Sequence, residues 1–152
     1  MRIREGDRGD LAFIRDLGHR SAADSASALR PADPRLLAVS FERMLEVVLD
    51  RSHLVLIAEI EEGESMGFLL LLDAQSDDVT SLPQAFVAYM AVEPSAHRRG
   101  VGAALLARAE EIARERGLPH LTLMVTEGNI PARELYAQAG YSTERRLLCK
   151  AL

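Results

Sequence analysis

The spacing of apolar residues changes period along this chain, and the changes divide it into helices and strands. Met1 to Arg4 is long enough for a short first strand. After Asp10, a residue suited to an N-cap, Leu11, Ile14 and Leu17 recur at helical spacing, and Gly18 ends or loosens that helix. Residues 21–28 are small and polar with no clear period, which fits a helical extension or a flexible lid. Asp33-Pro34 opens a second helix, an N-cap followed by proline at the first helical position. Its stripe is Leu37, Phe41, Met44, Leu45 and Val48.

The period then shortens. His53 to Ile60 is rich in Leu, Val and Ile and predicts a strand buried on both faces. A turn at 61–65 joins it to a second run, Met66 to Leu72, as an antiparallel hairpin. Residues 74–84 are polar and read as a loop, and Ala85 to Val92 is the next strand. From Val101 a helix shows the face Val101, Leu105, Ala109 and Ile112, with Glu110 and Arg114 paired on the wet side, until Gly117 and Pro119 stop it. His120 to Thr126 alternates as a strand. Ile130 to Ala139 is a short helix with Asn129 near its cap, Pro131 in its first turn and Gly140 just past its end. Tyr141 to Leu152 is expected to contain a final strand. Two strands separated by a helix predict a parallel pair, Ala85–Val92 with His120–Thr126.

A chain of 152 residues suits one domain with a real core. The net charge of −5 weighs against a nucleic-acid surface. Cys149 is the only cysteine, which rules out an intrachain disulfide and favours a reducing compartment; it is expected as a small buried hydrophobe. His19, His53, His97 and His120 show no metal-ligand spacing, so no metal is expected. No signal peptide and no membrane-spanning run is evident, and a cytoplasmic location is expected.

The most informative stretch is Ala85 to Leu106, AFVAYMAVEPSAHRRGVGAALL. It reads as a strand, a Glu93-Pro94 turn, a basic pair, Gly100-Val101-Gly102 and a helix start. Glycines admit a ligand close to the backbone, and the N–H groups and positive dipole end of a helix favour phosphate. Arg98 and Arg99 add charge beside them, although a pair of solvated loop cations would look the same. The pattern is not a P-loop, because no Gly-Lys-Ser/Thr follows. It is not the dinucleotide fingerprint either, because Leu105 stands where a third glycine belongs.

That order of features resembles the pyrophosphate-binding segment of the GCN5-related N-acetyltransferases, the GNAT superfamily, usually Q/R-x-x-G-x-G/A, with His97 here in place of the first residue. A second segment, Asn129-Ile130-Pro131-Ala132-Arg133-Glu134-Leu135-Tyr136-Ala137-Gln138-Ala139-Gly140-Tyr141, is similar to the family's N-x-x-A-x-x-L-Y-x-x-x-G-F/Y at every fixed position. The resemblance covers essentially the whole chain. It implies an α/β (α+β) GNAT fold, a mixed central sheet with a splayed parallel strand pair flanked by helices. With only a dozen residues after Gly140, one long strand or a sheet completed by a second subunit in a homodimer would close it.

The resemblance further implies acetyl transfer from acetyl-CoA to a primary amine, of a small molecule or a peptide, by direct attack. Backbone groups of Met90, Ala91 and Val92 would then hold the pantetheine arm and the thioester carbonyl. Arg98, Arg99, Gly100, Val101, Gly102 and Ala103 would bind the pyrophosphate. Asn129 would contact the pantetheine or merely cap its helix. Tyr136 would protonate the leaving thiolate or merely pack. Met124 and Phe86 occupy the positions where family members carry a glutamate base, which leaves Glu127, Tyr89, His120 or an ordered water for that role. A domain that binds acetyl-CoA without turnover, as a sensor or structural module, is the alternative.

Overall fold

The computed structural model describes residues 1–61 and 63–152. Five strands form one sheet in the order of the chain: β1 (Arg2–Glu5), β2 (His53–Glu59), β3 (Ser65–Ser76), β4 (Pro83–Val92) and β5 (Leu121–Leu123). The first three pairings are antiparallel and β4 pairs with β5 in parallel. Four helices cover the faces: α1 (Leu11–Ser21), α2 (Pro34–Leu49), α3 (Val101–Glu115) and α4 (Ile130–Gln138). The expected hairpin and parallel pair are present.

The two faces bury separate cores. On one, Ile14 and Leu17 of α1 and Phe41, Leu45 and Val48 of α2 close over Ile57, Phe68 and Leu70. On the other, Val101, Leu105, Ala109 and Ile112 of α3 close over Leu56, Leu69, Leu71 and Val87. The central strands therefore bury both sets of side chains, which is why their sequences run apolar without alternation.

Several boundaries depart from the sequence reading. Asp10 sits at the N-cap position of α1 as expected but does not cap it with its side chain. Instead it accepts from the Asp7 N–H and from both terminal nitrogens of Arg4, while Asp7 caps the short 3-10 turn Arg8–Asp10. Gly18 does not end α1 either. It lies under the Phe41 ring, where a Cβ would overlap the ring carbons, so the glycine sets the close approach of α1 and α2. Residues Ala22–Ser25 form a second 3-10 turn. β3 and β4 extend into the stretch read as a loop, to Ser76 and from Pro83.

The largest difference is at the end of the chain. β5 keeps three residues rather than seven, and residues 141–152 adopt no strand. In place of the expected last strand, this segment makes side-chain contacts, Arg145 to Asp77 at 2.7 Å and Arg30 to the Cys149 sulfur at 3.4 Å. Cys149 is accordingly exposed, not buried. No helix of the described residues is long and apolar enough to cross a membrane.

Candidate active site

The site begins where β4 and β5 part. Their register covers only Ala85 to Val87 against Leu121 to Leu123. β4 continues five residues further with no strand on that side, so its edge from Ala88 to Val92 borders a gap. A bulge in β4 sets the orientation there. The register against β3 shifts between Leu70 and Leu71, and Ala88 and Tyr89 both pack toward the α1/α2 face. Two consecutive side chains on one face are the signature of an inserted residue.

Beyond the bulge, Glu93 N–H bonds the Met66 carbonyl of β3, and the Ala91 carbonyl faces Gly67 of the same strand. Alternation of ladder bonds then turns the N–H and C=O of Met90 and Val92 the other way, into the gap. Of the three residues expected to offer backbone groups there, Met90 and Val92 do so and Ala91 does not. The Val92 carbonyl is already engaged by His97 Nε2 at 3.0 Å. This bond gives residue 97 a role that its departure from the family pattern concealed: it ties the turn after β4 back to the strand end.

The glycine segment lies beside this edge. Arg98 and Gly100 both have positive φ, 60° and 80°. A non-glycine residue in that region is uncommon and marks a constrained turn. Gly100 is the N-cap of α3 with no side-chain cap, and nothing lies within 4 Å of the position its Cβ would take. The first N–H groups of a helix have no intrahelical acceptor, so those of Val101, Gly102 and Ala103 face an open surface with the positive end of the dipole behind them. Arg98 and Arg99 are exposed beside it. An uncapped helix start, a glycine that leaves space and two cations form a cradle with the chemistry of a pyrophosphate site. Gly102 faces inward, against Leu135 of α4, Met90 and Val92.

Across the gap stands the start of α4. Asn129 Oδ1 accepts from the Ala132 N–H at 3.3 Å, which is the capping role, and Nδ2 donates to the Asp24 carbonyl at 3.2 Å. Thr126 Oγ1 donates to the Ser25 carbonyl at 2.6 Å. The turn Ala22–Ser25 therefore crosses as a strap from α1 to the loop between β5 and α4. Its fastening has no sequence signature, because bonds to carbonyls mark no residue type on the accepting side. Tyr136 is half-buried on α4, its ring edge-on to Tyr141 with centroids 6.0 Å apart. Burial raises the Tyr136 hydroxyl pKa above its ordinary value, so the group stays protonated at neutral pH.

The candidate bases fare differently. Met124 is 81% exposed and Phe86 packs among the α1/α2 core side chains, so neither position holds a carboxylate. Glu127 is 91% exposed and lies 3.3 Å from Arg133. His120 sits beyond the paired end of β5, its carbonyl accepting from Ala85 N–H. Five residues of strand separate Ala85 from Met90, roughly 16 Å, so His120 is at the wrong end of the sheet. Tyr89 does face a pocket, but burial raises its pKa, and it meets Ser21 Oγ at 3.0 Å. It is a neutral hydrogen-bonding group at neutral pH.

A sheet parted at one parallel pair, with an uncapped glycine-lined helix start beside the opening, fits the GNAT resemblance of the sequence. Comparison with known proteins agrees. The model of the Acetyltransferase (GNAT) family matches residues 21–141. An uncharacterized N-acetyltransferase of Bacillus subtilis, YhfO, is 31% identical over 147 residues, 95% of this chain and 91% of that protein. The aminoglycoside N(6')-acetyltransferase type 1 of Klebsiella aerogenes is 33% identical over 100 residues, 65% of this chain and 66% of its own length. A putative acetyl transferase from Pyrococcus furiosus superposes with a TM-score of 0.84 at 26% identity, with 99% of each chain covered. The chain belongs to the GNAT acetyltransferase family, and it is an enzyme of the N-acetyltransferase class. Among the described residues, no group of three or more His, Cys, Asp or Glu side chains could hold a metal ion.

Proposed function

We propose that this chain transfers the acetyl group of acetyl-CoA to a primary amine by direct attack. The observation that carries the reading is the free edge of β4 at Met90 and Val92, beside the uncapped start of α3. The α3 cradle, with Arg98, Arg99 and the N–H groups from Gly100 to Ala103, suits the pyrophosphate. The outward backbone groups of Met90 and the N–H of Val92 suit the amide-rich arm and the thioester carbonyl. Acetyl-CoA supplies an activated acetyl thioester.

The acceptor's nitrogen lone pair forms the new C–N bond as the C–S bond breaks. The departing thiolate takes a proton from the Tyr136 hydroxyl, and the proton shed by the nitrogen passes through water and restores the phenol. Products are the acetamide and the free thiol of CoA. With Tyr89 neutral and Glu127 in open water, this reading uses no side-chain base, and the amine arrives with its proton lost to solvent. Asn129, both of whose side-chain groups are engaged, acts here as a fastening between the cap and the strap.

Two measurements test it: calorimetric titration with acetyl-CoA, and release of CoA thiol against a set of amines. Saturable acetyl-CoA binding with amine-dependent thiol release is expected. Binding without any amine-dependent release would return the chain to a non-catalytic role, and no binding would remove the donor assignment.

A further inference from the structure

We propose that the acceptor is a small primary amine with an apolar body and no second positive charge, an arylalkylamine or branched alkylamine. It would be seated between α2 and the Tyr89 bulge. This rests on the acetyl-transfer reading above and names the substrate class for it.

A pocket of about 250 Å³ opens on the α1/α2 side of β4, next to the bulge. That is below the roughly 300–1,000 Å³ typical of small-molecule sites. Its walls are Leu37, Phe41 and Met44 of α2, Ala22 of the strap and the ring of Tyr89. Phe41 and Tyr89 meet edge to face, centroids 5.1 Å apart, so two aromatic rings shape one side. The polar side chains lining it are the hydroxyls of Ser25, Ser40 and Tyr89, all neutral.

No carboxylate lines the pocket. On the elements around it, Glu93 and Asp16 both hold Arg20, at 2.6 and 2.8 Å, and Glu42 holds Arg15 at 3.2 Å and His19 at 2.8 Å. Asp24 is exposed on the strap, between the lining residues Ala22 and Ser25. A carboxylate beside the lining matches one ammonium on the incoming amine. A polycation would carry further charges against apolar walls with no counter-charge among the lining side chains, and desolvating each unpaired charge is unfavourable. Small size, apolar walls and neutral lining hydroxyls together select a monoamine and reject an aminoglycoside.

The test is steady-state thiol release with 2-phenylethylamine, 3-methylbutylamine, tobramycin and a short peptide with N-terminal alanine, beside acetyl-CoA calorimetry. The kcat/KM for an apolar amine is expected to exceed that for tobramycin by at least about tenfold, the lower range of discrimination by pocket fit. Ser40→Asp adds a carboxylate to the exposed wall. It is expected to narrow that ratio at least threefold, by the order of one charge interaction near a surface, with acetyl-CoA affinity unchanged. Tobramycin or the peptide turned over as well as the apolar amines, or no apolar amine turned over by protein that binds acetyl-CoA, overturns the substrate class and leaves the donor site standing. Absence of acetyl-CoA binding overturns the transfer reading and the class with it.

Discussion

A Cβ on Gly102 would lie 2.9 Å from Leu135 Cδ2, with Met90 Cε at 3.8 Å and Val92 Cγ2 at 3.9 Å. The first turn of α3, the middle of α4 and the end of β4 therefore meet at one point. The cradle, the free strand edge and the Tyr136 helix share a single packing junction. Gly102→Asp places a side chain and a negative charge there. Calorimetry on the folded variant should show acetyl-CoA binding largely lost. Gly102→Ala adds bulk without charge and meets only the flexible end of Leu135, so stability should change by no more than about 1 kcal/mol, read by denaturant unfolding. Parent-like acetyl-CoA affinity in Gly102→Asp would remove the pyrophosphate from this helix start.

Tyr136 stands on the far side of the same junction, one residue from Leu135. Its hydroxyl pKa is raised by burial, so it remains protonated through neutral pH. Tyr136→Phe keeps the ring against Tyr141 and removes the donor. Acetyl-CoA affinity should persist while kcat falls by about 10²–10⁴-fold, the range of a general acid. Unchanged kcat would assign Tyr136 to packing alone, and lost affinity would make it part of the binding surface.

Asp10 supports a prediction about acid stability. Its side chain is 10% exposed and accepts from Arg4 at 2.7 and 2.8 Å, which holds its pKa below the usual carboxylate value. The unfolded chain binds the proton more readily. The stabilisation is therefore fully present above the unfolded carboxyl pKa, about 3.9, and is lost as pH falls through the lower folded value. Asp10→Asn retains an acceptor for the Asp7 N–H and removes the charge. Urea unfolding at pH 7 should show a loss of about 1–3 kcal/mol, as for a charge-assisted hydrogen bond. The difference from the parent should shrink below pH 4. A constant difference down to pH 3 would mean that Arg4 and Asp10 are not coupled by charge.

The sequence revealed those parts of the fold whose signal is local. The α3 face, the Asp33-Pro34 start of α2 and the Asn129 cap depend on neighbours within one or two turns, and each formed as the spacing predicted. The glycine segment was legible because its residue types carry the conformation. Asp10 stands at the N-cap as expected, but its bond to Arg4 was not legible, because that partner lies on a strand six residues away. Gly18 was misread because its reason is the Phe41 ring, a contact between helices. The expected last strand did not form: residues 141–152 mix Ser, Thr, Glu, Arg and Lys with apolar residues, and the neighbouring β5 has only three residues. The acceptor pocket had no sequence motif because its walls come from α2, the strap and the bulge, three separate segments.

The strap joining Ala22–Ser25 to the β5–α4 loop yields the remaining prediction. It is fastened by Thr126 Oγ1 on the Ser25 carbonyl and by Asn129 Nδ2 on the Asp24 carbonyl. It also carries Ala22 and Ser25 of the acceptor pocket. Thr126→Val is nearly isosteric and deletes only the shorter of the two bonds. The cost in global stability should be small, about 0.5–1.5 kcal/mol for one exposed hydrogen bond. The local effect should be larger, because the single Asn129 bond would then be the remaining side-chain tie between the strap and the β5–α4 loop. Amide exchange of residues 22–26 should accelerate while that of α3 stays constant. The KM for the acceptor should rise with acetyl-CoA affinity unchanged, since the cradle at α3 shares no bond with the strap. Unchanged exchange at 22–26 would show that the strap is held by packing on α1 and α2 and that the Thr126 bond is incidental. A change in acetyl-CoA affinity of the same size as the change in KM would show that the strap closes over both substrates.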